Sequence, residues 1–328
     1  MNTNKPIKTA SILIIIYNGM LHIENCVLSV LNQTFQSFEI ILVDNNSTDG
    51  SLNYIKNKFP QLTIVACNEN LGYGGGINRG LQYATGDYIA PLNQDTEVDK
   101  NWLVFMLQFL KQHPMVGAVC PRSMIYNDRT RISAIGADIH VSGFSYSRAK
   151  YQSGILDLDT PIEVNGVSGS SYVIRKSILE QMGGLEPCFG GMDDTVLSWN
   201  LHLMGYKIYC IPRAIIYHKH QMELSPNRLF YLERDRVEML LTSLKPFTLF
   251  VSAPFFILIE LLVVSYCLLR GRAYVCSKIN MWWSVLRDFK KIRTRRRQMN
   301  KLRTISDLKL FRSLKLIPDW PQLLRAFK

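Results

Sequence analysis

The run GDYIAPLNQDTE occupies residues 86–97. Tyr88 to Leu92 is an apolar segment of strand length, and it emerges into Asn93, Asp95 and Glu97. In an open α/β sheet, ligands bind in the crevice beyond the carboxyl ends of the strands. Oxygen-bearing side chains gathered there suit a hard divalent cation beside a phosphate. The competing reading is a strand-ending loop in which Asp95 or Thr96 caps a helix that starts near Asp99.

The flanking segments favour the sheet. Ser11–Tyr17 and Glu39–Val43 are β-branched runs of the kind buried on both faces of a parallel sheet, and Leu62–Ala66 makes a third. Helical spacing follows at 22–31, and a helix through Lys56 has Ser47 as its expected N-cap. Further helices are expected at 72–83 and 101–113, then a strand at 116–121. This alternation predicts βαβ units and one parallel sheet, a nucleotide-binding architecture that names no reaction by itself. Glycines at 72, 74, 75 and 76 invite a dinucleotide reading. They follow the third strand rather than the first, however, and position 77, where the last glycine belongs, is Ile. The first strand instead ends in Tyr17-Asn18 and the second in Asp44. An aromatic ring and an acid at adjacent strand ends suit a pyrimidine, whose ring N–H the acid accepts; a simple turn at Asp44 is the alternative.

The whole chain has 328 residues, is 47% hydrophobic and carries a net charge of +12. That basicity belongs to the tail. Residues 270–328 hold 17 Lys/Arg against 3 Asp/Glu, and residues 1–269 are close to neutral at −2. Seven scattered cysteines without a C-x-x-C pair indicate neither a disulfide framework nor a zinc site, and they suit a reducing compartment. Lys5 and Lys8 before Ile12–Ile16 superficially resemble a signal peptide, but the apolar run is short and reads as the first strand.

Four motifs stand in order: Ile-Tyr-Asn at 16–18, VDNNSTDG at 43–50, NENLGYGGGINRG at 68–80 and LNQDT at 92–96. Over roughly residues 10–225 this set resembles the family 2 inverting glycosyltransferases with a GT-A fold, especially the rhamnosyltransferase-like branch. The resemblance implies a nucleoside diphosphate sugar donor, dTDP-rhamnose or a UDP-hexose, and Mg²⁺ or Mn²⁺ as cofactor. It implies nucleotide-sugar contacts from Tyr17, Asn18, Asp44, Asn46, Gly74, Arg79, Asn93, Gln94 and Asp95. The metal motif reads Asn93-Gln94-Asp95, so Asp95 is the principal expected ligand. His218 is the expected second ligand, favoured over His220.

Residues 122–165 read as hairpins and loops of the acceptor side, followed by a strand near 173 and a helix at 176–182. An inverting transfer needs one carboxylate to take a proton from the attacking hydroxyl. The resemblance gives Asp194 that role, with Asp193 as its support. Acids at a helix start also favour the macrodipole, and Leu197, Leu201 and Met204 follow at helical spacing, so both readings hold together. Strands are expected at 206–211 and 214–217.

Pro246 to Leu269 is 24 residues with one charge, Glu260, enough to cross a bilayer. A single crossing would put the basic segment 287–303, with nine Lys/Arg, on the side away from a cytoplasmic nucleotide site. A kinked, re-entrant or in-plane hairpin bent at Pro254 is therefore preferred, with Trp282 and Trp283 returning along the interface. The expected organisation is a GT-A domain over 1–225, with a donor half at 10–121 and an acceptor half at 122–225, and a helical membrane-associated region over 226–328. The expected partners are the donor, a lipid-linked saccharide of a surface polysaccharide and the cytoplasmic membrane face, not nucleic acid. A polyprenyl-phosphate sugar synthase and a non-catalytic nucleotide-sugar-binding protein are the alternatives. A sugar nucleotidyltransferase lacks its Gly-rich loop after the first strand, and a hydrolase would need two carboxylates flanking the bond.

Overall fold

The computed structural model describes residues 8–152, 159–219 and 224–317. His220 and residues 221–223 lie outside the described residues. The chain forms two compact units. The first takes the described residues of Met1–Ala137, Ser147–Pro187 and Lys207–His220; the second takes those of Asp138–Tyr146, Cys188–Tyr206 and Gln221–Lys328.

The first unit is built on one large sheet. Its strands are β1 (Ala10–Ile16), β2 (Phe38–Asp44), β3 (Thr63–Ala66), β4 (Tyr88–Asn93), β5 (Thr96–Val98), β6 (Val116–Ile125) and β7 (Asp128–Ala134). A short ribbon of β8 (Ala137–Ile139) and β9 (Ser145–Ser147) follows, most of it in the second unit, and β10 (Ile162–Val164), β11 (Val173–Arg175) and β12 (Lys207–His218) return to the main sheet. The order is β10-β12-β6-β11-β4-β1-β2-β3, with β5 on β12 and β7 on β6. Helices α1 (Ile23–Leu31), α2 (Ser51–Lys58), α3 (Gly72–Leu81), α4 (Trp102–Gln112) and α5 (Lys176–Met182) join or flank the strands. Every residue of β1 is buried, and its Ile12, Ile14 and Ile16 pack with Val27 and Val30 of α1 and Trp102 and Met106 of α4.

Several expectations need correction. The sheet is mixed, because β11 runs antiparallel between β4 and β6 and keeps those two strands apart. A three-residue strand takes its direction from its neighbours, which no local pattern encodes. The strands expected at 206–211 and 214–217 are one, β12, with an irregularity between Ile211 and Ile215 where Pro212 falls. Pro lacks an N–H for the ladder, so the register shifts there rather than ending. Ser47 does not cap α2; Gly50 does, at φ 92, a left-handed position that glycine takes without strain. No cap forms at Asp95 or Thr96, since β5 starts at Thr96 and α4 only at Trp102. Gly86 is fixed by close approach: a Cβ there would come within 2.5 Å of the Ala10 carbonyl carbon.

The second unit is helical. It contains α6 (Asp193–Leu203), α7 (Pro226–Ser243), α8 (Pro246–Val251), α9 (Ala253–Arg270), α10 (Arg272–Arg287), α11 (Phe289–Leu302) and α12 (Asp307–Arg312). Trp199 and Leu203 of α6, Met239 and Leu240 of α7 and Leu310 of α12 form one buried cluster. The apolar run breaks at Ser252 rather than bending at Pro254, which sits in the first turn of α9, where its missing N–H costs nothing. The α9–α10 turn is Gly271, at φ 103.

Candidate functional site

Register brings the predicted donor residues of the first unit to one edge of the sheet. Ile16 of β1 lies opposite Asp44 of β2, and Ile15 lies opposite Asn93 of β4, so Tyr17, Asp44 and Asn93 stand at the carboxyl ends of three adjacent parallel strands. Tyr17 is half exposed. Asp44 is fully buried; its Oδ2 accepts from the Ser47 amide at 3.2 Å, and its Oδ1 has no partner. A buried, unpaired carboxylate oxygen is costly unless something fills the gap, and a nucleobase N–H fits that need.

The loops above this edge are tied together. Asn18 and Asn46 hold left-handed backbone, at φ 51 and 64, which Asn tolerates better than most residues. Asn18 Oδ1 accepts from the Thr48 amide at 2.9 Å, and the Asn18 amide donates to Ser47 Oγ at 3.0 Å. The Met20 amide donates to Asp49 Oδ2 at 2.9 Å. Asn18, Ser47 and Asp49 therefore fix the turn that presents Tyr17.

Gln94 has a backbone-matching role. Its Oε1 accepts from the Tyr17 amide and its Nε2 donates to the Tyr17 carbonyl, both at 2.9 Å. A Cβ at Gly19 would meet that Oε1 at 2.1 Å. Nothing in the spacing of Gln94 signals this pairing. Gly74 is buried in the first turns of α3, whose start is held by Asn45 Nδ2 donating to the Gly72 carbonyl at 2.9 Å. A Cβ at neighbouring Gly76 would meet Ile15 at 2.8 Å, so this glycine run is there for close helix-to-strand packing. Arg79 lies on the same helix, with Nη1 2.6 Å from Gln82 Oε1 and its guanidinium over the Tyr83 ring.

Asp95 and His218 meet because β5 pairs antiparallel with β12, placing His218 opposite Thr96. His218 Nε2 lies 3.3 Å from Asp95 Oδ1, and the Lys219 amide donates to the Asp95 carbonyl at 3.2 Å. Burial pushes the Asp95 carboxyl up. The hydrogen bond and attraction of His218 outweigh it, with smaller help from His22, so the group lies below the ordinary carboxylate value. A polar fringe unassigned from the sequence surrounds the pair. Tyr126 donates to Glu97 Oε1 at 2.8 Å, Arg129 lies 3.5 Å from Glu97 Oε2, and Lys219 lies over the Tyr126 ring. Glu97, at the same strand end as Asp95, and Lys219, next to His218, are the sequence signals of that fringe. No group of three His, Cys, Asp or Glu suited to a metal occurs among the described residues. One carboxylate and one imidazole in contact nonetheless form a fitting partial shell for Mg²⁺ or Mn²⁺, which commonly take their remaining ligands from phosphate and water.

In the second unit, Asp193 and Asp194 open α6 and differ in setting. Asp193 is buried, and its Oδ1 accepts from the Cys188 amide at 3.1 Å, closing the 188–193 turn. Asp194 is half-buried, and its Oδ1 accepts from the Thr195 amide at 2.8 Å. Gly190 passes against the α7 backbone, where a Cβ would meet the Leu232 nitrogen at 2.6 Å.

A family model described as glycosyl transferase family 2 matches residues 11–183, more than half of the chain. Poly-beta-1,6-N-acetyl-D-glucosamine synthase of Staphylococcus aureus (strain COL) is 28% identical over 224 residues, covering 67% of this chain and 51% of that protein. The synthase of the same name from Staphylococcus epidermidis is 26% identical over 215 residues, covering 65% and 50%. The chain thus spans about half the length of the curated relatives it matches. Among solved structures, GalNAc-T7 with UDP, GalNAc and Mn²⁺ superposes with a TM-score of 0.59 at 17% identity, covering 76% of this chain and 51% of that one. S. aureus TarS 1–349 with UDP-GlcNAc gives 0.51 at 17% identity, covering 71% and 66%. At these identities the likeness is one of fold, and that fold is the α/β GT-A fold with a mixed sheet. Through the match over residues 11–183, the chain belongs to glycosyl transferase family 2.

Proposed function

We propose that this protein is an inverting glycosyltransferase that moves a sugar from a nucleoside diphosphate to a hydroxyl of a lipid-linked saccharide in surface polysaccharide synthesis. The observation that carries the reading is Asp44, buried with Oδ1 unpaired beside the half-exposed Tyr17 at the sheet's carboxyl edge. Tyr17 stacks on the base and Asp44 accepts its ring N–H, which fits uracil or thymine and rejects cytosine and adenine, neither of which offers one there. Two supports bear on the sugar: a TarS structure contains UDP-GlcNAc, and Asn93 in place of the first motif acid resembles the rhamnosyltransferase-like branch. The relatives named as polysaccharide synthases support the surface-polysaccharide setting. The apolar α8 and α9 and the basic α11 support seating at the cytoplasmic face of a membrane.

Asp95 and His218 are the residues that would hold Mg²⁺ or Mn²⁺, which when bound neutralises charge on the leaving diphosphate. Gln94 and Asn18 keep the Tyr17 turn in place. Asp194 takes the proton of the acceptor hydroxyl as its oxygen bonds the anomeric carbon. The bond from that carbon to the diphosphate oxygen breaks, and the nucleoside diphosphate leaves with the electron pair. Asp193 supports the base by holding the 188–193 turn.

The test gives the full chain UDP-GlcNAc or dTDP-rhamnose with two acceptors, polyprenyl-diphosphate-linked N-acetylhexosamine and polyprenyl phosphate. Products are read by mass and by NMR of the anomeric centre. An inverted glycoside on the saccharide, with Asp194→Ala slower by about 10²–10⁴ at unchanged donor affinity, is expected. A sugar phosphate product would mark a polyprenyl-phosphate sugar synthase, and full turnover by Asp194→Ala would remove it as the base.

A further inference from the structure

The second unit carries a surface with no part in the transfer chemistry. On α9, Leu258, Leu261, Leu262 and Leu268 are all more than half exposed, and Phe247 and Phe250 of α8 more so. On α10, Trp283 is 68% exposed beside Trp282. The one carboxylate of α9 turns the other way. Glu260 Oε1 lies 2.5 Å from an Arg236 nitrogen on α7, and its Oε2 lies 2.7 Å from Lys278 Nζ on α10. Glu233 of α7 closes the network at 2.7 Å from Arg236 and 2.5 Å from Lys278. The side chains of Arg236, Lys278 and Glu233 are almost fully buried.

Length alone would allow α9 to cross a bilayer. Its 18 residues span about 27 Å, close to the thickness of a hydrocarbon core. The ion network argues otherwise. Glu260 stands near the middle of the helix, so a crossing would carry Glu260, Arg236, Lys278 and Glu233 to the bilayer midplane. The α7 segment bearing Arg234, Asp235 and Glu238 would go with them. Ionisable groups at that depth are costly, whereas a helix that ties its single carboxylate to the protein and turns its leucines outward can lie in the interface. Charge points to the same partner. Of the basic residues on and just after α11, Arg295, Arg296 and Arg303 turn inward to Glu238, the Leu241 carbonyl and Asp307. Lys290, Lys291, Arg293, Arg297 and Lys301 remain exposed.

We propose that α8, α9 and α10 form a seat in one leaflet of an anionic membrane, held parallel to its surface by the Glu260 network. This deepens the membrane reading above and rests on it. The apolar faces of α8 and α9 sink to the base of the headgroups, Trp282 and Trp283 sit among them, and the exposed basic residues of α11 meet lipid phosphates.

The test uses the full chain with spin labels at Phe250→Cys, Leu258→Cys or Leu268→Cys, in a background of Cys67→Ser and Cys276→Ser. It is mixed with vesicles of phosphatidylglycerol and phosphatidylcholine, or of phosphatidylcholine alone. All three labels are expected at one shallow depth in the same leaflet, with binding at least about tenfold stronger when phosphatidylglycerol is present. Labels at 250 and 268 on opposite sides would make α9 a crossing helix and overturn the seat. Labels that stay in water with both vesicles would overturn it too, and binding indifferent to phosphatidylglycerol would remove the lipid-phosphate contact. UDP binding by the same samples reports separately on the catalytic reading, because a chain that binds UDP but no vesicle contradicts only the seat.

Discussion

Asp44, Asp95 and Asp235 are all largely or fully buried, yet their surroundings give them different chemistry. Asp95 has His218 at contact distance and lies below the usual carboxylate value; Asp44 keeps one buried oxygen without a hydrogen-bond partner at the strand edge. For Asp235 on α7, burial is the largest influence, the paired Arg234 offsets only part of it, and the carboxyl is raised to about 6. The folded chain therefore keeps a proton on Asp235 that the unfolded chain releases between about pH 4 and pH 6, so this group loses stability as pH rises through that window. Asp235→Asn should gain on wild type by about 1–3 kcal/mol more at pH 7 than at pH 4, read from urea unfolding in detergent. A difference that is the same at both pH values would contradict it. Glu233 runs the other way: burial pushes it up, Arg236 and Lys278 outweigh that, and it is brought down to about 2. Its stabilisation is present above its ordinary value and is lost as pH falls towards 2. Much of the strand edge was legible at this scale, because Tyr17 and Asp44 directly follow apolar runs and Asp95 lies three residues past Leu92. The tie of Gln94 to the Tyr17 backbone and the Tyr126 and Arg129 partners of Glu97 were not, since those partners are backbone groups or residues distant in sequence.

Among the elements, those with strong local patterns were read to within a residue or two. The β-branched β1 and β2 and the α3 segment opening at Gly72 are examples. The failures share a cause. The insertion of β11, the continuity of β12 past Pro212 and the cap at Gly50 depend on partners or on a single backbone angle rather than on periodicity. Gly271 shows how much one angle can set. Its φ of 103 and ψ of 177 turn α9 into α10, and a Cβ there would meet no atom within 4 Å. Gly271→Ala should therefore lose stability through backbone strain alone, by about 1–3 kcal/mol in denaturant unfolding. An unchanged unfolding midpoint would mean that the hairpin does not need the left-handed turn.

For the molecule as a whole, the sequence separates a near-neutral sheet-forming region from a basic tail, and the structure adds what that basicity does. Part of it holds helices together, as Arg295 does on Glu238 and Arg303 on Asp307, and part faces outward. Composition alone reads all of it as surface charge. The path of the chain, which passes into the second unit at Asp138–Tyr146 and again at Cys188–Tyr206 before the tail, leaves no mark on composition. The proposed donor site is the edge formed by Tyr17, Asp44 and Asp95, which would bind a uridine or thymidine diphosphate sugar with a divalent metal. Calorimetry of the full chain in detergent with UDP-, dTDP- and GDP-sugars, with and without Mn²⁺, is the test. Metal-dependent binding of a UDP- or dTDP-sugar is expected, weakened about 10–100-fold in Asp44→Asn and lost in Asp95→Ala. Equal binding of GDP-sugars, or undiminished binding in both variants, would contradict it.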